Sequence, residues 1–294
     1  MKRALLRARF PFRRTILRLA LRTYEVYLAL PLPRRRTPDR HPGRWPIPPA
    51  ALRAKVSWPA DAEFFIETGR AQVEFIRSVV SRNGGHVEEM GAILDFGCGC
   101  GRLARWWSDV PGPAIHGCDY NPELVEWCAA NLPFMRAAVN GLEPPLPYES
   151  EQFDLVYALS VFTHLSEELQ DRWLPELERV LRPGGLLYFT VSGDSYAAGL
   201  SGEDRGRYEA AKLVTHFTDV EGTNLCAAYH PPGYVRSHMM KRLELLDEVP
   251  GGGRGACEAL SQDSYLARKP LTLAGTRTDR PAAASRAASP GDAG

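Results

Sequence analysis

The chain predicts an α/β protein built on a doubly wound, mostly parallel sheet. Three observations carry that prediction. Short apolar strands alternate with helix-patterned segments, the first strand runs directly into a glycine-rich loop, and the second strand ends on an acid about 20 residues further on. Strand–helix alternation requires crossover connections, which lay consecutive strands parallel and put helices on both faces.

The elements follow in order. Phe64, Phe65, Gly69, Val73, Ile76 and Val79-Val80 recur at helical spacing from about Ala60, and Asn83-Gly84-Gly85 stops that helix. Ala92 to Phe96 is a first strand, followed by glycines and a helix through Trp107. Ala114 to Asp119 is a second strand, with a helix opening at Pro122, a favoured first-turn proline. Phe134 to Val139 is a third strand and Phe153 to Ala158 a fourth. Ser166 caps a helix running to about Leu181, with Glu167 and Glu168 in its first turn, and Arg182-Pro183-Gly184-Gly185 turns into a fifth strand, Leu186 to Val191. Beyond it the pattern loosens into a polar helical stretch over about 201–213, a strand near 224–229, a helix from Pro232 to Arg242, and closing strands at 243–249 and 263–268.

Composition separates the ends from this body. Of 294 residues 44% are hydrophobic and 24% charged, ordinary for a protein with a core. Residues 1–44 carry thirteen basic side chains against Glu25 and Asp39, a charge of +11, and the other 250 residues carry 23 basic against 33 acidic, a charge of −10. Residues 1–30 alternate Arg with Leu, Ile, Phe and Tyr, the pattern of a basic amphipathic arm that can meet an anionic membrane surface, a partner or the protein's own body. A twin-arginine export signal is disfavoured, because Arg18, Arg22 and Glu25 interrupt the apolar stretch it would need. Seven prolines within 31–50 and the run Arg34-Arg35-Arg36 mark residues 31–59 as a linker. The compact domain then spans 60–271, and the Ala-, Ser- and Pro-rich residues 272–294 form a disordered tail. Six cysteines form no C-x-x-C pair, so buried reduced thiols and a cytoplasmic protein are expected, at the inner membrane surface if the arm binds lipid.

The chemistry centres on Asp95-Phe96-Gly97-Cys98-Gly99-Cys100-Gly101-Arg102. Glycines let a backbone turn tightly and approach a ligand with no Cβ between. A dinucleotide fingerprint would place its third glycine at position 102, where this chain has Arg, and its pyrophosphate would meet a carboxylate at 95. An acid there suits a cationic amino group instead. Asp119, ending the second strand, is placed to accept both hydroxyls of a ribose, and Tyr120 to cover an adenine. A ligand joining an amino acid to an adenosine fits, and S-adenosylmethionine is the common one.

With Pro144-Pro145-Leu146-Pro147, Phe153-Asp154-Leu155-Val156-Tyr157, Ser160-Val161-Phe162-Thr163-His164-Leu165 and the run from Trp173 to Gly185, these motifs resemble the class I S-adenosylmethionine-dependent methyltransferase superfamily, in its generic bacterial small-molecule branch. The resemblance covers about 60–270. It implies a Rossmann-like seven-stranded sheet with an antiparallel last strand. It implies that Gly97, Cys98, Gly99 and Gly101 line the methionine part of the cofactor with Asp95 near it, and that Asp119 binds the ribose. Asn140, Gly141 and Leu142 stand where relatives approach the adenine, and Ser160 and Val161 sit beside the sulfonium. Residues 192–242 lie where the superfamily varies its substrate cover.

Methyl transfer from a sulfonium needs alignment and exclusion of water, with a base when the acceptor is a hydroxyl. His164, after the fourth strand, and His230, before Pro231-Pro232, are the candidate catalytic residues, each with the alternative of a packing or capping role. No metal is required. Glu143-Pro144-Pro145-Leu146 falls before the fourth strand and lacks an aromatic fourth residue, which sets nucleic-acid base methylation aside, as does the acidic body. The expected acceptor is a small molecule, more readily at oxygen than at nitrogen, and a glycosyl or lipid-linked hydroxyl by analogy with polysaccharide and secondary-metabolite pathways. The alternatives are a non-catalytic S-adenosylmethionine-binding module of the same fold, and a nicotinamide-dependent oxidoreductase.

Overall fold

The computed structural model describes residues 44–57, 60–252 and 261–271, with Thr15, Leu19 and Thr23 as isolated positions before them. The rest of the expected basic arm, the linker up to residue 43 and the tail from residue 272 lie outside the described residues.

Seven strands form one sheet: β1 (Ala92–Phe96), β2 (Ala114–Asp119), β3 (Met135–Val139), β4 (Phe153–Ala158), β5 (Leu181–Val191), β8 (Glu244–Val249) and β9 (Asp263–Arg268), in the order β3-β2-β1-β4-β5-β9-β8. β1 pairs parallel with both β2 and β4, β2 with β3, and β4 with β5, while β9 runs antiparallel to β5 and β8. The last strand in the chain is thus the one reversed strand, inserted between β5 and β8. Between β1 and β4 the strand order changes direction, and an open α/β sheet binds its ligands at the carboxyl ends of strands on either side of such a point.

Strand alternation builds two cores. Leu94, Val156 and Leu187 face one, with Trp173, Leu177 and Val180 of a helix over Glu167–Val180; Ile93, Leu155 and Tyr188 face the other, with Val73, Ile76 and Val80 of a helix over Ala62–Arg82. The helices are α1 (Ala50–Val56), α2 (Ala62–Arg82), α3 (Pro122–Asn131), α4 (Glu167–Val180) and α5 (Gly202–Glu209), with a single turn at Asp194–Ala197. Their starts follow the sequence signals: Asp61 Oδ1 accepts from Phe64 N, Asn121 Oδ1 from Glu123 N with Pro122 in the first turn, and Ser166 Oγ from Leu169 N.

Four expectations are corrected. Residues 50–56, inside the expected linker, are helical: Pro49 precedes the first turn and Ala50-Ala51-Leu52-Arg53-Ala54-Lys55 are good helix formers. After the glycine loop there is only a 3₁₀ turn, Ala104–Trp107. The strand near 224–229 shortens to β7 (Ala227–Tyr229), which pairs with an unanticipated β6 (Val214–His216) and touches the main sheet through a Ser192–Tyr229 bridge. The helix from Pro232 is one turn followed by a π-helical turn, Val235–Met239. Five cysteines, at 98, 100, 118, 128 and 226, are buried and free.

Candidate active site

The loops leaving β1, β2 and β4 meet over the carboxyl edge of the sheet and enclose a cavity of about 310 Å³. The glycine loop forms its floor. Gly97 N and Cys98 N both donate to Cys118 O, at 2.8 and 3.0 Å, which pins the loop to β2. Gly97 has φ 79° and Gly99 φ 54°, left-handed values that cost a side chain energy. A Cβ on Gly97 would stand 2.5 Å from Val161 Cγ2, and one on Gly99 2.4 Å from Val56 Cγ1. The cradle between the glycine loop and its neighbours therefore exists only with glycine at both positions.

Two carboxylates give the cavity its polarity. Asp119 ends β2, and each of its oxygens takes one backbone N–H, Oδ2 from Gly99 and Oδ1 from Asn121, both at 2.9 Å. Each oxygen keeps a second lone pair, so the carboxylate is oriented and still able to accept a pair of hydroxyls. Burial raises the Asp119 carboxyl above its usual range, against the lowering effect of those backbone donors. Asp95 is the penultimate residue of β1, is 3% exposed, and its Oδ2 has no hydrogen-bond partner. Burial pushes it up to about 7, opposed by the Tyr157 hydroxyl and the Arg102 charge. A buried carboxylate oxygen without a donor costs free energy that a cationic ligand group would offset.

The other walls come from β3, β4 and two distant segments. Asn140, Gly141 and Leu142 follow β3, and Trp173 of α4 donates from Nε1 to Leu142 O at 3.0 Å, which holds that loop at the cavity. Asn140 Oδ1 is buried without a partner. After β4, Ser160 has φ 58° and gives its N–H to Thr190 Oγ1 at 2.9 Å, while Gln262 Oε1 accepts from Ser160 Oγ and Thr190 Oγ1, both at 2.6 Å. This fan fixes the turn carrying Ser160 and Val161. Across the opening, Asn224 Nδ2 donates to Lys55 O at 2.8 Å, so α1 and the 222–224 segment meet over the cavity.

Asp95, Gly97, Cys98, Gly99, Asp119, Tyr120, Asn140, Gly141, Leu142, Ser160, Val161 and His164 thus surround one cavity. Two expected residues do not. Gly101 (φ 74°) faces α3, where a Cβ would lie 2.3 Å from Leu132 Cδ1, so it is a packing glycine. His230 is fully buried behind the wall, with Nε2 at 3.1 Å from Gln170 Oε1 and its backbone N–H on Ser192 O. Gln170 in turn donates to Phe162 O and Leu165 O. His230 therefore braces the turn that carries His164 and does not reach the cavity; burial pushes its imidazole down to about 3, so it stays neutral. His164 does line the cavity, with Nδ1 at 2.8 Å from Cys226 O. A carbonyl only accepts, so Nδ1 carries the proton and Nε2 is the basic nitrogen.

Sequence reasoning missed Ala54, Lys55, Val56, Arg102 and the 222–224 segment as walls. The helix formers after Pro48-Pro49 were a usable signal for the first three; the last segment carries none.

The geometry has counterparts. A family model described as a methyltransferase domain matches residues 94–189, from within β1 into β5. Residues 94–189 thus match a methyltransferase domain, on the fold of the class I S-adenosylmethionine-dependent methyltransferase superfamily. The superfamily's cofactor is S-adenosylmethionine, and this site fits it by the oriented Asp119 carboxylate, the unpartnered Asp95 oxygen and the two-glycine cradle. The methyltransferase GfsG of Streptomyces halstedii is 27% identical over 51% of this chain and 50% of its own length. The malonyl-[acyl-carrier protein] O-methyltransferase of Enterobacter lignolyticus is 35% identical over 34% of this chain and 38% of its own. The chain spans about half the length, or less, of these curated relatives. An S-adenosylmethionine-dependent methyltransferase from Mesorhizobium loti superposes with TM-score 0.51 at 17% identity, over 65% of this chain and 96% of that one, and shares the fold. Among the described residues no helix is long and apolar enough to cross a membrane, and no group of three or more His, Cys, Asp or Glu is placed to hold a metal ion.

Proposed function

We propose that this chain is an S-adenosylmethionine-dependent methyltransferase that methylates a small-molecule acceptor, at a hydroxyl. The observation that carries the proposal is Asp119, held by two backbone donors at the carboxyl end of β2 beside a glycine loop that only glycine can form. When bound, the cofactor supplies a methyl group already activated on a sulfonium, so the protein's own work is alignment, exclusion of water and proton removal. Asp119 takes the ribose hydroxyls. Tyr120 and the Asn140-Gly141-Leu142 loop enclose the base. Ser160 and Val161, fixed by Thr190 and Gln262, border the sulfonium. His164 holds Nδ1–H on Cys226 O and accepts the acceptor's proton at Nε2. Oxygen as the target is supported by the O-methyltransferase among the similar proteins.

Calorimetry with S-adenosylhomocysteine tests the site. Asp119→Ala is expected to weaken binding by about 2 kcal/mol, roughly 30-fold, through loss of charge-assisted hydrogen bonds. No binding to folded wild-type protein overturns the proposal. Label transfer from S-adenosylmethionine to candidate alcohols then separates an enzyme from a binding module, which would bind and never transfer.

The proposal extends to where the acceptor is met. The +11 charge of residues 1–44 suits an anionic membrane surface, and with it a cytoplasmic protein acting on a lipid-linked hydroxyl. Flotation with anionic liposomes at low and high salt is expected to retain the full chain at low salt only. Equal behaviour of a variant lacking residues 1–44 removes this extension.

A further inference from the structure

We propose that residues 217–226 form a rigid strap that roofs the ligand chamber and positions His164 at the same time, so that opening the chamber to exchange cofactor disarms the base. The inference rests on the S-adenosylmethionine site proposed above and deepens it. It makes Gly222 and Asn224 positioning residues for His164.

The strap is tied along its own length. Val220 N donates to Phe217 O at 3.1 Å, Thr223 N to Val220 O at 3.3 Å, and Cys226 N to Thr223 O at 3.1 Å, three turns end to end. Thr223 Oγ1 adds a second bond to Val220 O at 2.7 Å. Consecutive hydrogen-bonded turns leave little backbone freedom between the two ends, so the segment moves as one piece.

One side of the strap faces the cofactor wall. Gly222 has φ 75°, and a Cβ there would stand 2.9 Å from Leu142 Cδ1 and 3.2 Å from Tyr120 Cε1. Glycine thus lets the backbone lie on the two side chains proposed to enclose the adenine. Two residues on, Asn224 Nδ2 donates to Lys55 O at 2.8 Å and latches the strap to α1. The other side grips the turn after β4. Gly222 N donates to His164 O at 2.9 Å, Glu221 Oε1 accepts from Ser166 N at 3.2 Å, and Cys226 O takes His164 Nδ1 at 2.8 Å.

The two sides cannot be released separately. A ligand passing between α1 and the strap needs the Asn224–Lys55 latch to part, and a rigid strap that swings away takes Cys226 O with it. The histidine does not follow. Gln170, fully buried in α4, donates from Nε2 to Phe162 O and Leu165 O, both at 3.1 Å, and Thr163 Oγ1 donates to Ser160 O at 2.6 Å, so the body keeps the backbone of that turn. His164 then loses the acceptor that holds its proton on Nδ1, and with it the fixed basic Nε2. Proton removal from the acceptor and exchange of the cofactor are therefore mutually exclusive.

The test uses the full chain with isotope-labelled histidine, saturated with S-adenosylhomocysteine. Proton–nitrogen spectra, assigned by the signals missing from His164→Gln, read the tautomer of His164 and the solvent exchange of its Nδ1–H; a chase of radiolabelled S-adenosylhomocysteine reads its dissociation rate. Wild type is expected in the Nδ1–H tautomer. Asn224→Ala is expected to raise dissociation and Nδ1–H exchange by one common factor, about 3- to 10-fold for the loss of one hydrogen bond. Gly222→Ala, which holds the strap off Leu142, is expected to leave His164 as a mixture of tautomers. Asp204→Ala removes the partner of His216 Nε2, 2.9 Å away and outside the strap, and is expected to leave both rates unchanged. Faster dissociation in Asn224→Ala with unchanged Nδ1–H exchange overturns the proposal, and so does the reverse. An equal change in Asp204→Ala also overturns it, because the effect would then be general loosening. If folded wild type does not bind S-adenosylhomocysteine, the S-adenosylmethionine reading itself fails; if it binds with His164 in the other tautomer, only the strap fails.

Discussion

Lowering the pH from 8 to 6 is expected to weaken S-adenosylhomocysteine binding about tenfold, and the cause lies in Asp95. Its carboxyl sits at about 7 because burial penalises the charged form more than the Tyr157 hydroxyl and the Arg102 charge favour it. At pH 8 about ten molecules in eleven carry the carboxylate; at pH 6 about one in eleven does. A ligand ammonium needs the ionised form, so the dissociation constant follows that fraction. Calorimetry at pH 6, 7 and 8, repeated in buffers of different ionisation enthalpy, reads both the affinity and the protons released, about 0.9 per site at pH 6. Asp95→Asn is expected to bind weakly and with a flat profile; any slope that survives belongs to Asp119, which burial also raises. The unliganded protein supplies an independent check. The folded carboxyl lies above its ordinary 3.8, so its contribution is full below pH 4 and is lost as pH rises through 7. Ionising it in place costs on the order of 4 kcal/mol at 1.36 kcal/mol per tenfold. Asp95→Asn is therefore expected to melt higher than wild type at pH 8, by a margin that shrinks toward pH 4. An affinity independent of pH, with no proton release, refutes the reasoning.

Three further outcomes follow from geometry. Gly97→Ala is expected to abolish cofactor binding while the sheet folds, because its Cβ would meet Val161 Cγ2 at 2.5 Å; Gly206→Ala, which meets nothing within 4 Å in α5, is expected to bind normally and gain about 0.5–1 kcal/mol by denaturation. His230→Gln is expected to flatten acid unfolding. The wild-type imidazole, held down at about 3, contributes stability that is present above pH 6.5 and lost as pH falls, on the order of 5 kcal/mol in full. Urea titrations between pH 7 and 4 read the difference. His164→Ala is expected to cut methyl transfer to a hydroxyl by 10² or more with S-adenosylhomocysteine binding intact, and a parallel fall in both would make it a structural residue.

The scaffold was legible because apolar runs are long where the sheet is buried on both faces. β1, β2 and β4 lie within a residue of the runs that predict them, and the closing pair at 244–249 and 263–268 is equally clear. Three-residue strands carry no period, so nothing in the sequence marks β6 or the true start of β7. The π-helical turn at 235–239 reads as ordinary helix for the same reason: its residues are apolar at helical spacing whichever hydrogen bond forms. Most of the cofactor wall was legible because it comes from loops attached to recognisable strands. Gly101 shows the limit of motif reasoning, since a glycine in a glycine loop can serve the helix behind it. His230 shows the limit of residue type. A histidine before two prolines looks exposed, and only the packing of Gln170 against it reveals that it is sealed. In the sequence Arg102 shows only as the absence of a glycine, and its partners on α2 lie about 30 residues away, beyond any local pattern.

The meeting of α1 with the 222–224 segment gives the fold and the site different edges. Trp45 packs tilted against Phe134 at 4.8 Å, Pro46 O takes Arg105 Nη2, and Lys55 O takes Asn224, so the chain is committed to the body from about residue 44, well ahead of the first strand. A fragment trimmed to the sheet would keep every strand and still lack one side of its ligand chamber, along with Trp45 and Leu52 from its buried clusters. Modularity in this protein therefore belongs to the chamber, and a transplant or truncation that respects only the strands would carry over a scaffold without its binding function.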